Sequence, residues 1–297
     1  MKDLLRSSVL GGLWAIAGVA ILAQPSITDC GDAAVAAETA PLGSRPRVRS
    51  SLFGESLVRF ELKSGHKAFV LEPAKAKATS EKPWVWYAPT LLADREEDWE
   101  SPGTRHAWIF GELLGSGIHV AGVDVGESYG SPKGRAIYDE FYDLMLRQYS
   151  YSAKPALLAI SRGGLMAFNW AADHPDRIGC LGGIYPVCNL RSYPRIERLA
   201  EAYGMREDEL RTQIDQHNPM ARLEPLAGAR VPLFLLHGDH DAVVPLESNS
   251  GELARRYQAL GGSVQLVIVK GKGHEVVPEF WQAPPLIEFF RKNVLAR

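Results

Sequence analysis

Two kinds of hydrophobic pattern alternate along residues 55–297. Short runs in which nearly every position is apolar are separated by longer stretches whose apolar residues recur every three or four positions. The first pattern is typical of strands buried on both faces of a sheet, and the second is typical of amphipathic helices. The sequence predicts strands at 57–62, 67–71, 84–87, 118–123, 156–160, 178–184, 232–236 and 264–269, and helices at 104–114, 135–149, 163–173, 248–260 and 285–294.

This alternation predicts an α/β fold, namely a doubly wound, mostly parallel β-sheet flanked by helices. The first two strands surround Ser64-Gly65 and are therefore expected to form a hairpin. Residues 189–226 interrupt the rhythm, because this polar, helix-prone stretch is longer than a simple crossover between strands. We expect it to form a helical insertion above the sheet.

The N-terminal residues differ in kind from the rest of the chain. Lys2 and Arg6 precede an apolar stretch at 9–23, which is short for a membrane span and typical of the hydrophobic region of a signal peptide. The sequence thus predicts a leader and linker at 1–37, a further linker at 38–54 and the folded domain at 55–297. The expected location is periplasmic or secreted, with an uncleaved membrane anchor as the alternative.

Composition narrows the class of protein. The chain has 297 residues with a formal net charge of -2, and it lacks the long basic stretch expected of a nucleic-acid-binding protein. Its three cysteines, at 30, 180 and 188, form no zinc-like spacing with histidines, so we expect no metal site. Cys180 and Cys188 either pair in an oxidising compartment or remain small apolar core residues.

The strongest chemical signal surrounds Ser161. The apolar strand at 156–160 leads directly into Ser161-Arg162-Gly163-Gly164 and then into a helix, with the small residue Ala159 two positions before the serine. A nucleophile on a sharp strand-to-helix turn needs small flanking residues, because the turn leaves no room for side chains there. The alternative interpretation is a serine that merely caps the following helix.

Two further polar residues follow predicted strands. Asp241 comes just after the strand at 232–236, and His274 ends a glycine-containing loop after the strand at 264–269. The carboxyl ends of parallel strands meet at one edge of a sheet, so we expect both to approach Ser161. Histidine can accept and return a serine proton near neutral pH, and a carboxylate orients the imidazole. The sequence predicts a Ser161-Asp241-His274 triad that works without a cofactor.

These motifs resemble a known family. His-Gly-Asp-His-Asp-Ala-Val-Val-Pro at 237–245 and Gly-Lys-Gly-His at 271–274 resemble the acid and histidine motifs of the α/β-hydrolase superfamily, in its dienelactone hydrolase and prolyl oligopeptidase catalytic-domain branch. The resemblance covers residues from about 55 to the end and implies an α/β-hydrolase domain. It also implies that Asp241 is the acid, with Asp239 as the fallback. Where members of the branch carry a cysteine nucleophile, this chain has Ser161.

Other site residues are placed by the same topology. The backbone N–H groups of Arg162 and Thr90 are expected to form an oxyanion hole. Glu127, Tyr185 and Trp281 are candidate substrate contacts, although packing of Tyr185 against the insertion is an alternative. The Arg162 side chain either binds an anionic group or faces solvent. Tryptophans 99, 108 and 281 either form a platform for a sugar or pack in the core.

The expected activity is that of an exported serine esterase. It would act through an acyl-enzyme intermediate on a small-molecule ester, with acylated carbohydrates as one candidate class. A peptidase of the prolyl oligopeptidase type is the alternative enzyme, and a non-catalytic binding protein on the same fold is the third hypothesis. The sequence predicts neither a nucleic-acid partner nor a stable membrane span unless the leader is retained, and it leaves the oligomeric state open.

Overall fold

The apolar runs form the strands of a single sheet. The computed structural model describes residues 48–52, 54–75, 77–88 and 104–295. Its strands are β1 (Val48–Leu52), β2 (Glu55–Glu61), β3 (Lys67–Glu72), β4 (Trp84–Ala88), β5 (His119–Val123), β6 (Ala156–Ile160), β7 (Cys180–Ile184), β8 (Leu233–Gly238) and β9 (Val264–Val269). Over the described residues they pair in the order β1-β2-β3-β5-β4-β6-β7-β8-β9.

The mode of strand pairing changes once across the sheet. β1, β2, β3 and β5 pair antiparallel to one another, whereas every pair from β5 through β4 to β9 is parallel. The carboxyl ends of β4 to β9 therefore meet at one edge, where ligand sites gather in open α/β sheets. The predicted mostly parallel, doubly wound fold is confirmed.

Helices cover both faces of this sheet. They are α1 (Ala107–Gly115), α2 (Pro132–Arg147), α3 (Gly163–Asp173), α4 (Ile196–Tyr203), α5 (Glu207–His217), α6 (Glu224–Gly228), α7 (Ser250–Ala259), α8 (Pro278–Trp281) and α9 (Pro284–Leu295). One core layer joins the sheet to α2, α3, α6 and α7, and the other joins it to α1, α8 and α9.

Strand β6 shows how the sequence divides between these layers. Leu157 and Ala159 enter the core beside α2 and α3, whereas Leu158 and Ile160 enter the core beside α1 and α9. Successive side chains of a strand point to opposite faces, so a strand covered on both sides is apolar at every position. Because β6 is buried on both faces, its position in the sheet is fixed. Its carboxyl end, which leads into Ser161, is therefore held in a defined place.

The segment between β7 and β8 contains α4, α5 and α6. Its apolar side chains, including Leu199, Tyr203 and Leu210, pack with Tyr129 and Leu165 in a third buried cluster. Leu165 belongs to the first turn of α3, and Tyr129 lies in the loop after β5. The insertion therefore rests on the carboxyl edge of the sheet.

The structure corrects one expectation from the sequence and decides between the alternatives of another. Val48–Leu52 falls within the range predicted as linker, 38–54, yet it forms β1 and pairs with β2. An edge strand is held by main-chain hydrogen bonds to a single neighbour, here β2, and such pairing leaves no mark in the pattern of apolar residues. Cys180 and Cys188 are both buried and are not joined by a disulfide, so the disulfide alternative is not formed.

All described residues fall within one compact unit. Within them, every helix is too short or too polar to cross a bilayer. The predicted leader at 1–37 lies outside the described residues.

Candidate active site

Ser161 occupies a strained turn between β6 and α3. Its φ is 50°, in the left-handed region that costs a non-glycine residue on the order of 1–3 kcal/mol. Three main-chain hydrogen bonds hold the turn: the Ser161 N–H donates to Ile184 O at 3.1 Å, and Ser161 O accepts from Gly164 N at 3.0 Å and Val187 N at 2.8 Å. The surrounding backbone thus fixes Ser161 at the end of the strand.

Gly164 is required by the close approach of the chain after β7. A Cβ atom at this position would lie 2.5 Å from Val187 O and 2.8 Å from Pro186 Cβ. The first of these contacts is with backbone, which cannot rotate away as a flexible side chain can. Any larger residue would therefore push α3 from the segment that holds the Ser161 carbonyl.

His274 lies within hydrogen-bonding distance of both other triad candidates. Its Nε2 is 2.9 Å from Ser161 Oγ, and its Nδ1 is 2.8 Å from Asp241 Oδ2. Because an ionised carboxylate only accepts hydrogen bonds, the proton of the neutral ring belongs on Nδ1 and Nε2 is free to accept from the serine. The sequence placed these three residues at one edge, and the structure brings them together.

Asp241 is held by several donors at once. Its Oδ1 accepts the N–H groups of Val243 at 3.0 Å and Val244 at 2.7 Å, leaving Oδ2 for His274. The carboxylate side chain is fully buried. Asp239, the fallback acid, instead contacts His240 and the Gly271 N–H, so its role is to join the loops after β8 and β9.

His237 lies behind Asp241 and is itself held by hydrogen bonds. Its Nε2 donates to Val244 O at 2.7 Å and lies 3.5 Å from Asp241 Oδ2, while its Nδ1 accepts from Ser250 Oγ at 2.7 Å. Burial lowers the pKa of His237, which keeps the ring neutral. The sequence identified this histidine only as part of a motif, since its packing depends on residues in two later segments.

Tyr185 and Trp281 lie beneath His274, and their burial indicates that they support its ring in place of the substrate contact that the sequence suggested. They are 3% and 5% exposed, and Trp281 Nε1 donates to the Tyr185 hydroxyl at 3.0 Å. The Tyr185 ring lies against the His274 ring, with 4.2 Å between centroids. Burial raises the pKa of Tyr185 to about 12, so it remains protonated at neutral pH. Tyr185 packs with Phe280 of α8 and belongs to the core layer beside α1, α8 and α9, whereas the insertion packs in the third cluster.

Glu127 and Arg162 form an ion pair beside Ser161. Arg162 Nη1 is 2.6 Å from Glu127 Oε1, and both side chains are partly exposed. The Arg162 guanidinium thus already has an anionic partner within the protein. The Arg162 backbone N–H, in contrast, has no hydrogen-bond acceptor among the residues that the structure describes.

Several positions that the sequence predicted for the site are not found there among the described residues. Thr90 and Trp99 lie outside the described residues, and Trp108 is half-buried against the core layer beside α1. Since Trp281 is buried as well, neither of the two described candidates forms an open platform. In the part of the chain that the structure describes, no cluster of three or more histidine, cysteine or acidic side chains is arranged to hold a metal ion.

Comparison with known proteins agrees with this architecture. The model of the prolyl oligopeptidase family, Peptidase S9, matches residues 143–283, which include all three triad candidates. No curated protein matches the sequence.

Solved structures resemble the chain in fold at low sequence identity. A protein assigned as dipeptidyl aminopeptidase IV from Bacteroides ovatus has a TM-score of 0.63 at 12% identity, and the match covers 84% of this chain but 36% of that one. An S-formylglutathione hydrolase from Agrobacterium tumefaciens has a TM-score of 0.63 at 16% identity, covering 84% of this chain and 98% of that one. MPT51 from Mycobacterium tuberculosis has a TM-score of 0.60 at 15% identity, covering 77% and 94%.

The match thus spans about a third of the peptidase and nearly the whole of the other two proteins. At these identities the likeness shows the fold, whereas the family model adds the residues around the site. Together they show an α/β-hydrolase fold in which residues 143–283 match the model of the prolyl oligopeptidase family.

Proposed function

We propose that this protein is a serine hydrolase that cleaves carboxylic esters through an acyl-enzyme intermediate. The observation that carries the proposal is the continuous series of hydrogen bonds from Ser161 Oγ through His274 to Asp241, at 2.9 and 2.8 Å, on a strained strand-to-helix turn. A solvent-facing serine that only capped a helix would have no need of a buried carboxylate behind a paired histidine.

Acylation would begin with attack of Ser161 Oγ on the ester carbonyl carbon. His274 Nε2 takes the hydroxyl proton as the new C–O bond forms, and Asp241 stabilises the resulting imidazolium. His274 then returns the proton to the departing alcohol as its bond to carbon breaks. A water molecule repeats the sequence on the acyl-enzyme, releasing the acid and restoring Ser161.

The negative charge that develops on the carbonyl oxygen needs donors positioned in advance. The Arg162 N–H, which directly follows the nucleophile, is the proposed first donor. The Thr90 N–H remains the proposed second donor, because Thr90 comes two residues after the end of β4 in the sequence. Such a donor contributes on the order of 10²–10³-fold to kcat in serine hydrolases.

The match to an S-formylglutathione hydrolase, which covers 98% of that protein, supports a small ester as the substrate. Acylated carbohydrates are one class to be tried.

A peptidase of the prolyl oligopeptidase type is the second candidate, and the Peptidase S9 match to residues 143–283 supports it. The two activities share the same triad, so only the leaving group distinguishes them. Hydrolysis of a Xaa-Pro dipeptide reporter by the wild type, and not by Ser161→Ala, would favour the peptidase.

The test is a panel of p-nitrophenyl esters of increasing acyl length, together with acetylated and feruloylated sugars. The wild type is expected to turn over at least the short-chain esters, and Ser161→Ala is expected to lose that activity. Absence of turnover across the panel, with correctly folded protein, would overturn the esterase proposal.

Export is a separate proposal, and it is supported by the apolar stretch at 9–23 after Lys2 and Arg6. Expression of the full chain in a bacterial host, followed by N-terminal sequencing of the periplasmic fraction, is expected to show cleavage before residue 38. Intact chain held in the membrane fraction would favour the anchor instead.

A further inference from the structure

A large cavity lined by arginines opens on the insertion beside the candidate active site. Its volume is about 1070 Å³, and it lies between the chain at 190–196, α4 and α5. Its lining residues include four arginines and a single acidic residue, Glu197: Arg191, Arg195, Arg198 and Arg211.

The four guanidinium groups differ in how far they are already neutralised. Arg191 pairs with Asp215 at 2.9 Å, and Arg211 approaches Glu207 at 3.7 Å.

Within the described part of the chain, Arg195 and Arg198 form no ion pair, and both side chains are exposed to the cavity. Glu197 offsets one of these two charges. The cavity therefore keeps an excess of positive charge.

Two connections place the cavity close to Ser161. The main chain gives the first: Val187 N donates to Ser161 O at 2.8 Å, and Leu190 of the cavity wall follows three residues later. Three residues span at most about 11 Å even when fully extended. The cavity wall at Leu190 thus begins within about 11 Å of Val187, whose N–H donates to Ser161 O.

Tyr129 gives the second connection. Burial raises the pKa of Tyr129, the neighbouring Glu127 carboxylate raises it further, and the neighbouring Arg198 guanidinium lowers it. Its ring also meets the ring of Tyr193 in the cavity wall, at 6.3 Å between centroids. Since Glu127 pairs with Arg162, the residue after the nucleophile, a continuous set of contacts runs from the site to the cavity.

The charges along this path favour an anion at its far end. Arg162 and Glu127 neutralise each other next to Ser161, so the end of the path at Ser161 carries little net charge. Arg195 and Arg198 remain to bind a carboxylate, and a guanidinium suits this role because its donors match the two carboxylate oxygens.

We propose that the arginine-lined cavity is a specificity subsite, and that it selects substrates in which a carboxylate is carried on the acyl chain at a distance from the scissile bond. This inference rests on the proposed function, since it assigns the remote part of the substrate to the cavity and the reacting carbonyl to Ser161. Arg195 and Arg198 are the residues that bind the carboxylate.

The experiment compares three p-nitrophenyl esters with six-carbon acyl chains: the adipate half-ester, the hexanoate and the aminohexanoate. They end in a carboxylate, a methyl group and an ammonium group. The measured quantity is the ratio of kcat/KM values between the charged and the neutral ester. The series is repeated with four-, eight- and ten-carbon acyl chains to find the length at which the ratio peaks.

At low salt we expect the wild type to prefer the carboxylate over the neutral ester by about fivefold, because two exposed ion pairs each contribute modestly. The ammonium ester should be disfavoured. Raising the ionic strength to about 0.15 M shortens the screening length to roughly 8 Å and should reduce the preference.

The variants are Arg195→Gln, Arg198→Gln and the double substitution, and the double variant should bring the carboxylate-to-neutral ratio close to one. The matched control is Arg206→Gln. Arg206 is an exposed arginine of the same insertion that pairs with Asp208 and does not line the cavity. It should leave the ratio at the wild-type value.

The possible failures are distinguishable. If the neutral ester is hydrolysed but the carboxylate gives no advantage at any length, the subsite is disproved and the esterase proposal stands. If no ester is hydrolysed, the proposed function fails, and calorimetric titration of monomethyl adipate into Ser161→Ala tests the cavity alone. Binding that disappears with the double substitution supports an anion subsite, and no binding overturns it.

Discussion

The two edges of the parallel sheet use their polar side chains differently. At the carboxyl edge, titratable side chains bond to one another, as Ser161, His274 and Asp241 do. At the amino edge, side chains bond to main-chain carbonyls: Trp84 Nε1 donates to Ser152 O at 2.9 Å, and Lys82 Nζ donates to Tyr149 O at 2.7 Å.

His119 illustrates the contrast with His274. His119 begins β5 at the amino edge, where its Nδ1 contacts Pro83 O at 3.2 Å and its ring meets the Tyr151 ring at 5.0 Å. A main-chain carbonyl accepts a hydrogen bond from an imidazole N–H but does not take up the proton. A serine hydroxyl and a carboxylate, in contrast, can exchange protons with an imidazole. Substitutions at the carboxyl edge should therefore reduce activity, and those at the amino edge should change stability.

The largest effect is expected for Ser161→Ala. Removal of the nucleophile should reduce kcat for ester hydrolysis by on the order of 10⁴-fold or more. Because the substitution removes only a hydroxyl, the melting temperature should stay close to that of the wild type. Activity assays and thermal unfolding of the same preparation check both statements, and substantial residual turnover would show that Ser161 is not the nucleophile.

Asp241→Asn should have the next largest effect. An amide in place of the buried carboxylate favours the wrong tautomer of His274, and a loss of about 10³–10⁴-fold in kcat is expected. Asp239→Asn is the matched control, because an amide oxygen can still accept from the Gly271 N–H. Its kcat should fall by about twofold or less. Equal losses in the two variants would mean that the acid has been wrongly assigned.

Gly164→Ala tests whether the turn itself must be tightly packed. The added Cβ would approach Val187 O to 2.5 Å, so the turn must shift, and a loss of roughly 10–100-fold in kcat/KM is expected. Gly111→Ala in α1 is the control, since its Cβ meets no atom within 4 Å. That control should gain about 0.5–1 kcal/mol in stability at unchanged activity.

The amino edge should respond in stability alone. Burial lowers the pKa of His119 to about 4, below the value of about 6.5 expected in the unfolded chain. As the pH falls from 6.5 to 4, the unfolded state takes up the proton first, so the native state loses up to about 3 kcal/mol.

Urea unfolding of the wild type and of His119→Gln at pH 7 and near pH 4 measures this loss of stability. The variant should lose less stability on acidification than the wild type does, and its kcat at neutral pH should be retained. An identical acid dependence in both proteins would exclude His119 as a contributor.

The sequence was most informative about the candidate site, where the position of each residue follows from the strand before it. Ser161, Asp241 and His274 each follow a strongly apolar strand, and parallel strands bring such positions to one edge whatever lies between them. That is why residues more than 100 positions apart were correctly expected to meet.

Contacts between separate loops could not be predicted in this way. The burial of Tyr185 beneath His274 depends on α8, and the pairing of Glu127 with Arg162 depends on the loop after β5. The arginine-lined cavity likewise arises from the packing of α4 on α5. No periodicity within one segment records such contacts, because each depends on side chains from distant parts of the chain.

Covalent labelling tests the central claim most directly. The wild type, incubated with a fluorophosphonate, is expected to gain one adduct per chain, located by peptide mass spectrometry at Ser161. The adduct should be absent from Ser161→Ala and formed far more slowly in His274→Ala, because the serine then lacks its base. An unlabelled wild type, or an adduct on another residue, would contradict the proposed active site.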